Sequence, residues 1–196
     1  YRTRNDAPFP PAIEDVTAAI RFLRAHAKQF CIDPEKVAIG GESAGGHLAC
    51  MAGVTGQDPM YDKGDYLPYS SAVQAVVDVY GLVDVTTCLR GPEPDFTTMM
   101  LGAQPQDVPE KTREASPLLR VHPGCPPFFI LHGDKDDMVD PDQSERLAKA
   151  LEANGVPFEY LVLQGAGHGD DAFYQPACKE RVIRFLHRVL QGGKQE

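Results

Sequence analysis

The turn Gly41-Glu42-Ser43-Ala44-Gly45-Gly46 constrains this chain more than any other segment. It lies between the apolar run Val37-Ala38-Ile39 and a helix-like stretch from His47 to Gly53. A strand that passes through G-x-S-x-G into a helix reverses direction in a very tight turn. The serine at the apex takes a strained backbone conformation, and its hydroxyl stands above the sheet. Side chains two residues before and two after it would collide with the neighbouring strand and helix, which accounts for Gly41 and Gly45. The helix that follows directs its N-terminal N–H groups and positive dipole end at negative charge forming beside Ser43. The turn therefore demands an α/β unit and makes Ser43 a candidate nucleophile. The Ala44 N–H becomes a candidate oxyanion donor. Glu42 is a candidate binding residue, by hydrogen bonding or by local charge; the residues alone leave both open.

Candidate partners follow downstream. Phe128-Phe129-Ile130-Leu131 is fully apolar, as a buried parallel strand should be, and it ends in His132-Gly133-Asp134-Lys135-Asp136-Asp137. A carboxylate just past the end of such a strand can reach back over the sheet. Phe158 to Leu163 reads as another strand, running into Gln164-Gly165-Ala166-Gly167-His168-Gly169, a loop that presents one histidine. An imidazole titrates near neutral pH, so His168 suits a proton shuttle for Ser43. The other histidines fit less well. His26 and His187 fall in amphipathic helices, His47 in the helix after the turn, and His132 before the acidic turn; His122 stands apart. The acids near Asp134 to Asp142 lack the glycine and closing glutamate of a calcium loop, so no metal site is expected.

The chain resembles the α/β-hydrolase-fold esterases, and most closely the hormone-sensitive-lipase-like carboxylesterases and the bifunctional acetylxylan/feruloyl esterases. The likeness rests on Tyr1-Arg2, Pro8 to Val16, Ile32 to Val37, Gly41 to Ala49, Ala115 to Leu118, Leu131 to Asp136 and Gly167 to Gly169. The resemblance implies a mostly parallel sheet flanked by helices and a triad in the chain order Ser43, Asp136, His168. Its H-G-x-x-D register selects Asp136 from among Asp134, Asp136, Asp137 and Asp140. It also implies a preceding H-G-G-G-type loop, and nothing like that loop lies between Tyr1 and Ser43. On this reading the chain is the C-terminal part of a longer hydrolase. It lacks the first strands, and the edge of the elbow strand is open to pairing with another copy. Gly81 and Leu82, after the next strand, are expected to line an acyl pocket.

The rest of the chain alternates strands and helices in a single 196-residue domain. The expected elements are a helix from Ala12 to Phe30, with Ile13, Val16, Ile20, Leu23, Ala27 and Phe30 inward, and a strand from Val73 to Tyr80. A short helix or turn spans Asp84 to Gly91. Helices then cover Gln143 to Asn154, capped by Asp142 with Glu145, and Gln175 to Leu190. Residues 92–109, rich in Pro, Met and Thr, are read as a possible cap insertion. A formal net charge of −9 argues against nucleic acid and anionic membrane as partners. No apolar run reaches the length of a membrane span. Five cysteines without C-x-x-C suggest neither a disulfide framework nor zinc, and they tilt toward a reducing, cytoplasmic compartment without fixing it.

The functional expectation is a serine carboxylester hydrolase, free of cofactor, acting on short-chain, acetyl-type esters of small molecules or carbohydrates. The alternatives are an amide-bond hydrolase, either a prolyl-oligopeptidase-like peptidase or an arylformamidase, and a truncated, catalytically silent domain. Those peptidases usually carry an aromatic residue after the nucleophile, where this chain has Ala44.

Overall fold

Apolar strands flanked by turn residues assemble into one parallel sheet. The computed structural model describes residues 1–3, 5–56, 58–87 and 96–192. The strands are β1 (Ala38–Glu42), β2 (Ala75–Val79), β3 (Phe128–Gly133) and β4 (Phe158–Leu163), in the spatial order β1-β2-β3-β4. The register aligns Glu42 with Val79, Val79 with Leu131, and Gly133 with Leu163. All four carboxyl ends therefore lie along one rim, where ligands bind in open parallel sheets. β1 lies at one edge.

The helices are α1 (Pro11–Ala25), α2 (Ala27–Phe30), α3 (Ala44–Thr55), α4 (Phe96–Leu101), α5 (Pro109–Glu114), α6 (Asp142–Ala153) and α7 (Pro176–Gln191). Alternation along β3 separates two cores. Phe128 and Ile130 join Ile13, Met51 and Leu147 on the α1, α3 and α6 face. Phe129 and Leu131 join Val77 and Phe185 on the α7 face. Every residue of β3 is buried, whereas Gly40 and Glu42 on the edge strand are exposed.

Two helices depart from expectation. The segment read as one helix from Ala12 to Phe30 breaks at His26 into α1 and α2. Its inward face is also rotated. Leu23 and Phe30 are exposed, and Thr17, Arg21 and Arg24 are buried with Ile13 and Ile20. The arginines are held by acceptors from distant loops. Arg24 donates to the carbonyls of Pro34, Ser70 and Ala72 and to Gln74 Oε1. Arg21 donates to the carbonyls of Asp65 and Lys63 and to the Asp62 carboxylate. At α6, Asp142 is the first helical residue rather than the cap, and no side-chain capping bond forms at Pro141, the preceding residue. The Asp142 carboxylate instead pairs with Arg146 at 2.7 Å, and its N–H donates to Asp140 Oδ1 at 3.1 Å. Of the segment 84–91, Val85 to Thr87 form a turn. Residues 88–91 of that segment, and residues 92–95 of the expected cap, lie outside the described residues.

Candidate active site

β1 leads into Ser43, which sits at φ +52° immediately before α3. Its N–H donates to the Val79 carbonyl at 2.9 Å, and its carbonyl accepts from the His47 N–H at 2.9 Å. A Cβ on Gly41 would overlap the Gly45 carbonyl, so the glycine two residues before Ser43 is sterically required. The matching argument for Gly45 fails, because a Cβ there meets nothing within 4 Å. The crowded position is its neighbour. A Cβ on Gly46 would lie 2.6 Å from Asp78 Oδ1 and 2.9 Å from Gly81 Cα.

Ser43, Asp136 and His168 come together from three strand ends. His168 Nε2 lies 2.9 Å from Ser43 Oγ, and His168 Nδ1 lies 2.8 Å from Asp136 Oδ2. A carboxylate only accepts, so Nδ1 carries the ring proton and Nε2 accepts from the Ser43 hydroxyl. Asp136 is buried. Burial pushes its carboxyl up, but hydrogen bonds from His132 and His168 and from the N–H groups of Val139 and Met138 outweigh it. They hold the group well below the usual carboxylate range. Of the other candidate acids, Asp134 Oδ1 accepts from the Gly165 N–H, Asp140 Oδ1 accepts from the Asp142 N–H, and Asp137 is exposed.

His132 supports the acid from below. It is fully buried, with Nε2 3.0 Å from the Val139 carbonyl and 3.3 Å from Asp136 Oδ2, and Nδ1 2.7 Å from Ser144 Oγ. Its Nε2–H is thus shared between the carbonyl and the carboxylate.

Ala44 opens the twelve-residue α3, at the positive end of its dipole. A mostly apolar cavity of about 240 Å³ adjoins it, bounded by Phe9, His47, Leu48, Phe96 and Met100. Gly81 and Leu82, expected at an acyl pocket, lie beneath the α3 N-terminus and do not border this cavity. Leu82 is buried and its carbonyl accepts from His47 Nδ1 at 2.8 Å, while Gly81 packs on the Gly46 backbone. Glu42 Oε2 accepts the hydroxyls of Tyr174 at 2.6 Å and Tyr80 at 3.0 Å.

Residues 1–151 match the family model described as BD-FAE. The chain belongs to the BD-FAE family. Esterase LipC of Mycobacterium tuberculosis (strain ATCC 25618 / H37Rv) is 38% identical over 178 residues, which span 87% of this chain and 44% of LipC. A truncated form of carbohydrate esterase from gut microbiota superposes with a TM-score of 0.89 at 30% identity, covering 97% of this chain and 72% of that one. The acetyl ester-xyloside bifunctional hydrolase from Caldicellulosiruptor lactoaceticus gives a TM-score of 0.72 at 25% identity, covering 94% and 67%. The fold of this BD-FAE chain is that of the α/β-hydrolase esterases. It spans less than half the length of the first curated relatives it matches, 44% of LipC and 39% of Esterase LipQ.

Beyond its triad candidates, the BD-FAE chain carries residues at the site that sequence reasoning passed over. Asp78, Tyr80 and Tyr174 are the main ones. Asp78 had a readable signal, a lone acid inside the apolar run of β2. Tyr174 had none, since its role depends on where the short 3₁₀ turn Asp171–Tyr174 lands.

Proposed function

We propose that this chain is a serine carboxylester hydrolase acting on short-chain, acetyl-type esters of small molecules, including carbohydrate esters. The observation that carries the reading is the continuous hydrogen-bonded line Ser43–His168–Asp136, with the hydroxyl and the carboxylate at opposite nitrogens of the imidazole. Ser43 Oγ attacks the ester carbonyl carbon as His168 Nε2 takes its proton. The carbonyl oxygen becomes an oxyanion beside the Ala44 N–H. Asp136 stabilises the imidazolium. The tetrahedral adduct collapses, the bond to the alcohol oxygen breaks, and His168 returns the proton to the departing alcohol. Water, activated by the same imidazole, then releases the acid from the acyl-Ser43.

The same reading gives the substrate two sides. The alcohol oxygen must face His168 to be protonated, and the oxyanion faces Ala44. The acyl substituent then occupies the cavity walled by Leu48, Phe96 and Met100. On this reading Phe96 and Met100, from the expected cap insertion 92–109, wall the acyl side.

Fluorophosphonate labelling with peptide mapping tests this reading. It expects one adduct, on Ser43, absent in Ser43→Ala and His168→Ala. Turnover of an acetyl ester should exceed that of an aminoacyl amide. A folded chain that forms no adduct sinks the proposal, and dominant amide turnover moves it to amide hydrolysis.

A further inference from the structure

Tyr80 follows β2 and stands behind His168. Its ring is buried, with its centroid 4.6 Å from the imidazole at an interplanar angle of 55°, and it packs edge-on against Phe173 at 4.6 Å. The residue has φ +45°, a conformation that non-glycine residues hold only when their surroundings enforce it. Two anchors enforce it. The Tyr80 N–H donates to the Leu131 carbonyl at 2.8 Å, and its hydroxyl donates to Glu42 Oε2 at 3.0 Å. Tyr174 donates to the same carboxylate oxygen at 2.6 Å.

His168 needs such a support. Its loop holds Gly165 and Gly169 at positive φ, with Gly167 between them. The bonds from Nδ1 to Asp136 and from Nε2 to Ser43 hold only the edge of the ring, and its faces are held by packing. The tilted Tyr80 ring, in contact with the imidazole, limits its rocking and keeps Nε2 aimed at Ser43 Oγ.

We propose that Glu42, Tyr80 and Tyr174 form a clamp in which Glu42 holds the Tyr80 ring against His168. All three are positioning residues for the proton transfer, and Glu42 is not a substrate ligand. The inference rests on the hydrolase reading above. Because Glu42 is the last residue of β1 and directly precedes Ser43, the clamp ties the strand of the nucleophile to the support of the base. Both phenols stay protonated across neutral pH and so remain donors. Burial and the bonds to Tyr174 and Glu42 push Tyr80 far up, and the bond to Glu42 raises Tyr174.

The experiment compares the full chain with Glu42→Ala, Glu42→Gln, Tyr80→Leu and Tyr174→Phe. The readouts are the rate of Ser43 fluorophosphonate labelling, kcat and KM on an acetyl ester, and thermal melting. Misaimed groups cost catalysis rather than binding, so Glu42→Ala and Tyr80→Leu should lower kcat and labelling by roughly tenfold, with KM within about twofold. Tyr174→Phe should give a smaller loss of the same kind. Glu42→Gln should recover most of the Glu42→Ala loss, because an amide oxygen still accepts both hydroxyls. If Tyr80→Leu fails to fold, Glu42→Ala with its Gln rescue decides alone, since Glu42 is exposed. Unchanged kcat in Glu42→Ala, or a loss that falls on KM, overturns the clamp while a labelled wild-type Ser43 keeps the hydrolase reading. A wild-type chain that never labels overturns both.

Discussion

Asp78 should make the fold less stable as pH rises from 4 to 7. It lies in β2 with no exposure, Oδ1 accepts from the Gly81 N–H at 3.0 Å, and Oδ2 is buried without a hydrogen-bond partner among the described residues. Burial pushes its carboxyl up to about 6, against the opposing pull of His132, the Gly81 N–H and the Cys50 thiol. Below the ordinary value of 3.8 both folded and unfolded chains hold the proton, and no penalty arises. Between 3.8 and about 6 the unfolded chain ionises first, so stability falls as pH rises. Above that window the full cost applies. The gap of about 2.2 units, at about 1.36 kcal/mol each, gives about 3 kcal/mol. Asp78→Asn keeps the shape and an acceptor for Gly81 but cannot ionise. Urea unfolding of both proteins at pH 4, 5, 6 and 7 isolates the term as the change in their stability difference. His47 is held neutral by burial and has the opposite dependence, but it is present in both chains and cancels. The variant should gain about 2 to 2.5 kcal/mol on wild type between pH 4 and pH 7, on the order of 1–2 M urea in midpoint. A difference that stays constant from pH 4 to 7 would refute the argument, because Asp78 would then ionise as easily in the fold as in water.

Four further outcomes follow from the geometry. Gly46→Ala should destabilise by about 1–3 kcal/mol and slow Ser43 labelling, since its Cβ would press on Asp78 and Gly81. Gly45→Ala should match or exceed wild type by up to about 1 kcal/mol in the same melts. Asp136→Asn should lower kcat by about 10⁴ with little change in KM, because an amide donor facing Nδ1 stabilises the wrong tautomer. Phe96→Ala and Met100→Ala should raise the hexanoyl-to-acetyl ratio of kcat/KM several-fold, on the order of 1 kcal/mol per methylene admitted. An unchanged ratio would place the acyl group elsewhere.

The legible parts of the molecule are those with local causes. β3 and β4 were readable because a buried parallel strand is an unbroken apolar run, and β4 begins and ends at Phe158 and Leu163 as expected. The triad candidates were readable because each follows a strand end or sits in the loop beyond it, and the parallel register then brings those ends together. The face of α1 was misread because periodicity counts Leu23 and Phe30 as core and Arg21 and Arg24 as surface. The structure reverses this, since loop carbonyls between residues 62 and 72 surround both guanidinium groups. No local pattern announces that. The Glu42–Tyr80–Tyr174 cluster was hidden for the same reason, drawing its three members from β1, the end of β2 and the turn before α7. Gly45 was assigned a steric role from the symmetry of the motif, but the crowding falls on Gly46, where the helix meets a side chain from the next strand.

The strain at this rim falls on two adjacent strands in the same way. Ser43 and Tyr80 each follow a strand, each has positive φ, and each donates its N–H to the strand beyond, to Val79 and Leu131. One step lifts Ser43 and the other lifts the ring behind His168. A non-glycine residue in that conformation costs about 1–3 kcal/mol, so the pair requires a firm floor. Asp78 supplies part of it. Its carboxylate accepts the Gly81 N–H and runs so close to Gly46 and Gly81 that neither tolerates a Cβ. An apolar residue at 78 would escape the ionisation cost but leave the Gly81 N–H unbonded in the interior, at about 1–3 kcal/mol. The acid therefore costs stability above pH 6 and holds in place the turn after Tyr80, the residue on which the aim of His168 depends.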